Sequence, residues 1–187
     1  MTQLFQYFKT FTVLSKEAES AIIGISSTLK IKKNNILQSI GHTCKTIYFI
    51  KKGVARIYYF KEDIDITESF AFENNIIVRA ESLFANKPSK KGIQLLEDSE
   101  LILIDATQLF KLYDQFPEIE RLFRLIFETA YVDTVNRIEG IQFHTAEERY
   151  SILLKESSDI VKRVPLRHIA SYLGITPVSL SRIRGIK

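Results

Sequence analysis

The stretch LRHIASYLGITPVSLSRIRG, residues 166–185, specifies two helices and a turn between them. Ile169, Ala170 and Leu173 make the inner face of a first helix, with small Ala170 where a second helix must cross closely. Gly174, four residues after Ala170, tolerates the positive φ that a tight interhelical turn needs. Ile175 is expected to bury in the turn, Thr176 is a good N-cap, and Pro177 takes the first helical position, where its missing N–H costs nothing. Leu180 and Ile183 then face the first helix. That leaves Val178, Ser179, Ser181, Arg182 and Arg184 outward, a short, polar and basic face of the kind a helix entering a DNA major groove requires. A plain helical hairpin with no nucleic-acid role is the competing reading.

Charge separates the two. From Ile160 to Lys187 the chain carries Lys162, Arg163, Arg167, Arg182, Arg184 and Lys187 and neither Asp nor Glu, while the whole chain has a formal net charge of only +4. A basic end on a slightly acidic body suits a polyanion partner for the end alone, since neutralised phosphates release counterions and drive binding. A solvated basic tail is the bland alternative.

The rest of the chain supplies a sensor-sized body. With 187 residues, 45% apolar, 13 Phe and 8 Tyr, there is material for one full core and a smaller second module. The single Cys44 excludes a disulfide framework, a cysteine-ligated cluster and a four-thiolate zinc site, and points to a reducing compartment. No leader-like start and no long apolar run is visible, so a cytoplasmic protein without membrane contact is expected.

Ser15 is a candidate N-cap for a helix over 16–25. Between Leu29 and Ile104 the pattern changes to β-branched and aromatic runs (ILQSI, TIYFI, VARIYYF, IDITESFAF, GIQLLE, ELILI). The breaks at Asn34-Asn35, Gly41-His42, Lys52-Gly53 and Asn74-Asn75 suit hairpins, so a compact antiparallel β-domain is expected. Within it, RAESLFAN reads as a short helical turn stopped by Pro88. Asp105 can cap a helix over 106–113, and Pro117 can start a long helix to Phe143. The apolar stripe of that helix runs from Ile119, Leu122, Phe123, Ile126 and Phe127 to Ile138 and Ile141. It is longer than one small β-domain can cover, and a second copy of the chain is the natural partner for the remainder.

A helix-turn-helix placed after a β-domain and a long helix resembles the CRP/FNR family of regulators. The resemblance implies an α+β fold: an antiparallel β-roll of jelly-roll type with flanking helices (1–116), a long dimerisation helix (117–143) and a small all-α helix-turn-helix domain (144–187). It implies a homodimer reading a palindromic operator on double-stranded DNA, with RNA polymerase as a further partner. Arg79-Ala80-Glu81-Ser82-Leu83, followed by Lys91, looks like the family's phosphate-binding cassette, Lys52-Gly53 like its strand-turn glycine, and Glu148-Arg149 like the start of the helix opening the DNA-binding domain. On that resemblance the effector-binding residues are Glu81, Ser82, Lys91, Gly92 and Thr134. The DNA-binding residues are Arg167, Thr176, Pro177, Val178, Ser179, Arg182 and Arg184. The effector is unidentified; a small nucleotide-like ligand is the implied class.

The sequence also departs from the family pattern. Lys91-Gly92 stands where cyclic-AMP binders carry Arg followed by Ser or Thr, so a compact ammonium replaces a bidentate fork and a hydroxyl donor is missing. Ala130 and Val135 flank Thr134 where nucleotide-holding groups are expected, and Pro177 and Val178 replace the Arg and Glu of cyclic-AMP-type readers. Weak cyclic-AMP binding and a different operator follow. No β-hairpin wing follows the second helix, so DNA contact is expected to rest on fewer groups.

His42, His144 and His168 fall in no metal-ligand spacing; His168 is expected at the surface or on a phosphate. Cys44 near His42 could be a thiolate pair or a haem ligand, against the simpler reading of an inert thiol. Asp63 and Asp65 are expected to share one solvated strand face. With no phosphate loop and no nucleophile elbow, no catalytic residue is assigned and an enzyme is not expected. A ligand-binding module whose helical tail contacts another protein remains the alternative to a DNA-binding regulator.

Overall fold

The computed structural model describes residues 1–185. Two short helices, α1 (Thr2–Phe8) and α2 (Lys16–Gly24), lead into strands β1 (Ser26–Ile31), β2 (Ile36–Gln38), β3 (Thr46–Lys52), β4 (Ala55–Lys61), β5 (Ile64–Ala71) and β6 (Ile76–Ile77). Helix α3 (Ala80–Ala85), strands β7 (Gly92–Leu95) and β8 (Ser99–Asp105) and helix α4 (Ala106–Leu112) complete the body. Then follow α5 (Pro117–Phe143), α6 (Ala146–Glu156), α7 (Ile160–Arg163), α8 (Leu166–Tyr172) and α9 (Pro177–Gly185).

The strands form two antiparallel sheets, ordered β1-β8-β3-β6 and β2-β7-β4-β5. Apolar side chains from both, among them Ile50, Ile57, Ile93, Leu95 and Leu101, meet between them. The outer face of the first sheet is covered by α1, α2, α4 and the first half of α5 through Leu4, Phe8, Ile22, Leu109, Leu122 and Phe123. This is the expected β-roll with flanking helices.

Local chemistry explains most boundaries. Ser15 and Asp105 accept the backbone N–H of Ala18 and Gln108, and Pro117 opens α5. Asn34, Gly41, Gly53 and Asn74 all take positive φ at their hairpin breaks. At Gly53, with φ 106°, an added Cβ would collide with the Ser99 side chain, so glycine is required on two counts. Two features differ from expectation. Strand β1 starts at Ser26 and, facing solvent along most of its length, shows no alternation to read. The β4–β5 turn is Glu62-Asp63, both at positive φ as a two-residue type I′ hairpin demands, although neither is glycine.

The 27 residues of α5 span about 40 Å. Its apolar stripe divides. Ile119, Leu122, Phe123 and Ile126 are buried in the body, whereas Tyr131, Val132, Ile138, Ile141 and Phe143 are exposed. No helix among the described residues is long and apolar enough to cross a membrane.

Candidate nucleic-acid interface and sensor pocket

Helices α8 and α9 pack across the turn as their side chains dictate. Ile169, Ala170, Leu173 and Leu180 are buried together with Tyr150 and Leu153 of α6. Gly174 takes φ 70°, and Thr176 Oγ1 accepts the Ser179 N–H at 3.1 Å. Helix α6 begins with a reciprocal capping box between Thr145 and Glu148. Two arginines tie down the carbonyl end of α8: Arg137 of α5 donates to Tyr172 O at 2.7 Å and stacks on the Tyr172 ring, and Arg149 donates to Leu173 O at 2.8 Å.

The outward face of α9 is open. Thr176, Pro177, Val178, Ser181, Arg182 and Arg184 are exposed, as is Arg167 of α8. Ser179 differs: it is half-buried, and its hydroxyl lies 3.0 Å from Thr176 Oγ1, so it belongs to the cap more than to the reading face. Ile186 and Lys187, at the end of the expected helix and tail, lie outside the described residues.

His168 corrects an expectation. It is not at the surface but 4% exposed, with Nδ1 2.8 Å from Arg56 Nη1. A guanidinium can only donate, so Nδ1 accepts and the ring is neutral. Burial first, and the Arg56 charge second, lower its pKa from 6.5 to about 4. Arg56 also forks onto Asp65 at 2.6 Å through both terminal nitrogens, and reaches Gln94 Oε1 and Thr67 Oγ1. Asp63 and Asp65 therefore do not share a solvated face: Asp63 is in the turn, and Asp65 neutralises a buried arginine.

A second ionic joint lies nearby. Arg163 of α7 reaches Glu73 at 2.7 Å and Glu97 at 2.7 Å, two carboxylates on loops of the β-roll. The Arg163 hydrogen bonds, aided by the Gly53 N–H, hold the Glu73 carboxyl down to about 2. Apolar contact joins the same surfaces, since Val54, Leu96, Phe70 and Phe72 pack into the core of α6–α9. Sequence reading missed this seam; its one visible trace is Arg56, a charge inside the otherwise apolar and aromatic run VARIYYF.

The expected effector residues are only partly brought together. Lys91 Nζ is 2.7 Å from Glu68 Oε2 and lies over the Tyr59 ring. Arg79, whose side chain is 8% exposed, stands 3.5 Å from the same Glu68 oxygen and 3.7 Å from Glu81, whose own side chain is mostly exposed. Ser82 is buried and structural, accepting the Cys44 N–H and donating to Lys87 O. Gly92 pairs across the strands with Tyr58, and an added Cβ would meet that ring at 2.7 Å. Gly92 is therefore buried against Tyr58, on the strand face opposite Lys91. Thr134 is exposed on α5, its hydroxyl bonded to Ala130 O of its own helix. Cys44 is buried, and no cluster among the described residues has the make-up of a metal site.

Residues 28–116 match the family model of the cyclic nucleotide-binding domain. This segment is similar to the cyclic nucleotide-binding domain. The chain as a whole has the CRP/FNR fold. FixK2 from Bradyrhizobium japonicum superposes with a TM-score of 0.74 at 16% identity, over 86% of this chain and 83% of that one. A chain described as a transcriptional regulator of the CRP/FNR family from Eubacterium rectale gives 0.74 at 20% identity, over 95% and 85%. A CooA variant from Carboxydothermus hydrogenoformans gives 0.66 at 18%, over 88% and 77%. No curated protein matches the sequence. Around Lys91, Glu68 and Tyr59 are the neighbours that the cassette resemblance did not identify.

Proposed function

We propose that this chain is a homodimeric DNA-binding transcription regulator, in which the cyclic nucleotide-binding domain senses a signal and α9 reads a palindromic operator. The observation that carries the reading is the open face of α9, polar and basic, on a helix pair whose opposite side is fully committed to packing. Arg182 is the base-reading residue and Ser181 its neighbour on that face. Arg167, Thr176 and Arg184 meet phosphates, and Pro177 and Val178 shape the groove contact.

Dimer formation is supported by α5. Phe127, Tyr131, Thr134, Ile138 and Ile141 recur at spacings of four and three, the seam of a two-stranded coiled coil. Tyr131 is 71% exposed and Ile141 52%. Beside them a cleft of about 560 Å³, lined by Phe84, Tyr113, Phe127 and Tyr131, offers the partner helix an apolar seat. The likeness to CRP/FNR regulators supports both assignments.

For the effector the geometry favours a ligand other than cyclic AMP. Glu68 already neutralises Lys91, and no hydroxyl follows it. The function is tested by titrating the protein with duplex DNA at several salt concentrations. A steep fall of affinity with salt, with a log–log slope of several units, is expected. A flat, weak response would reject DNA binding and leave a tail that contacts protein.

A further inference from the structure

Strand β5 is an edge strand with two occupied faces. Its register with β4 sets Thr67 opposite Tyr58 and Phe70 opposite Arg56, and these residues meet α8. Thr67 donates its backbone N–H to Ser171 Oγ at 3.1 Å, Phe70 packs its ring on Tyr172, and Arg56 joins Thr67 Oγ1 to His168. Helix α8 thus covers a sheet edge that would otherwise be unpaired.

The other face looks into the sensor domain, where Ile66 opposes Tyr59. Between the two settings the register slips: Ile57 pairs with Ser69 but Tyr58 with Thr67, so Glu68 is the extra residue of a β-bulge. A bulge re-aims one side chain and sharpens the local twist. Here it turns the Glu68 carboxylate toward Lys91 at 2.7 Å and Arg79 at 3.5 Å. Arg79 is buried, yet its polar contacts are all long, with Ser89 Oγ at 3.4 Å and Glu81 at 3.7 Å. Lys91 and Arg79 therefore share one bulged carboxylate, with the mostly exposed Glu81 as the other ionic partner of Arg79, and the residue next to Glu68 in the chain holds α8.

We propose that β5 is a lever, in which Glu68 couples the charge balance of the Arg79–Lys91 cradle to the docking of α8 on the opposite face. With Glu68 in place the repulsion between the two cations is offset and the bulge is held. When it is withdrawn they repel, the bulge loses its anchor, and the Thr67–Ser171 and Arg56–His168 contacts loosen. Whether this alters operator affinity rests on the DNA-binding reading; the mechanical coupling does not.

Amide hydrogen exchange on the DNA-free full chain tests it. In Glu68→Gln the amides of Thr67 and of 169–173 should exchange about tenfold faster than in wild type, although the substitution lies on the other side of the strand. Ile50→Val, a mild change in the core between the sheets, should leave the 169–173 amides near wild type and serves as the stability control. If Glu68→Gln does not fold, Glu68→Asp keeps the charge, shortens the reach and should give an intermediate acceleration. Unchanged exchange in 169–173, or the same change as in Ile50→Val, overturns the lever. Failure of DNA binding in wild type would instead reject the proposed function and leave the coupling standing.

Discussion

Acidification should loosen the seam between the two domains, and the size of the effect follows from His168. The ring is buried and accepts from Arg56, so its folded pKa is about 4 against 6.5 in the open chain. The unfolded state then binds the proton more readily, and stability is fully present above pH 6.5 and lost as pH falls toward 4. Between pH 7 and pH 5 the linkage relation gives a loss of about 2 kcal/mol from this residue alone. For a chain of 187 residues that corresponds to a fall in Tm of about 4–8 °C. Glu73, held down to about 2, contributes mainly below its ordinary value of 4.5 and leaves the upper window to His168. The assay is thermal unfolding at pH 7, 6 and 5 for wild type and His168→Gln, whose amide oxygen can still accept from Arg56 but does not titrate. The variant should be nearly flat over this range. If it follows the wild-type curve, the acid sensitivity comes from elsewhere and the assignment of a neutral, buried His168 is wrong.

Gly53→Ala should cost about 2–4 kcal/mol in chemical unfolding, since it combines a positive φ with a collision at Ser99, and a wild-type midpoint would refute the clash. Ile138→Glu should turn the dimer into a folded monomer by light scattering, whereas Ile126→Glu, in the core of the body, should damage the fold itself. A monomeric wild type at about tens of micromolar would refute the seam. Cyclic AMP should bind in calorimetry with less than about 8 kcal/mol, and submicromolar affinity would show that Glu68 yields its place to the nucleotide.

What could be read from the sequence was local. The caps at Ser15, Asp105 and Thr176, the proline start of α5 and the positive-φ breaks each depend on residues a few positions apart, and each is in place. Strand β1 escaped because an exposed strand has no inward face to alternate. The site was less legible. Arg56 and His168 are 112 residues apart, Arg163 and Glu73 are 90 apart, and no periodicity marks such pairs. The cassette resemblance led to Lys91 but not to the carboxylate facing it, because Glu68 reaches the pocket only through a bulge, which shifts strand parity without changing composition. Strand alternation likewise sets Gly92 against Tyr58, on the strand face opposite Lys91, which adjacency in the sequence does not show.

The most direct test is selection of binding sites from random duplexes by the full-length protein, repeated with Arg182→Ala. A dimer presenting two copies of α9 should enrich a palindrome with half-sites about 10–10.5 base pairs apart, and Arg182→Ala should lose about 1–3 kcal/mol at the preferred site and relax one position in each half. Enrichment of no sequence, or of a motif without two-fold symmetry that survives Arg182→Ala unchanged, would contradict the account.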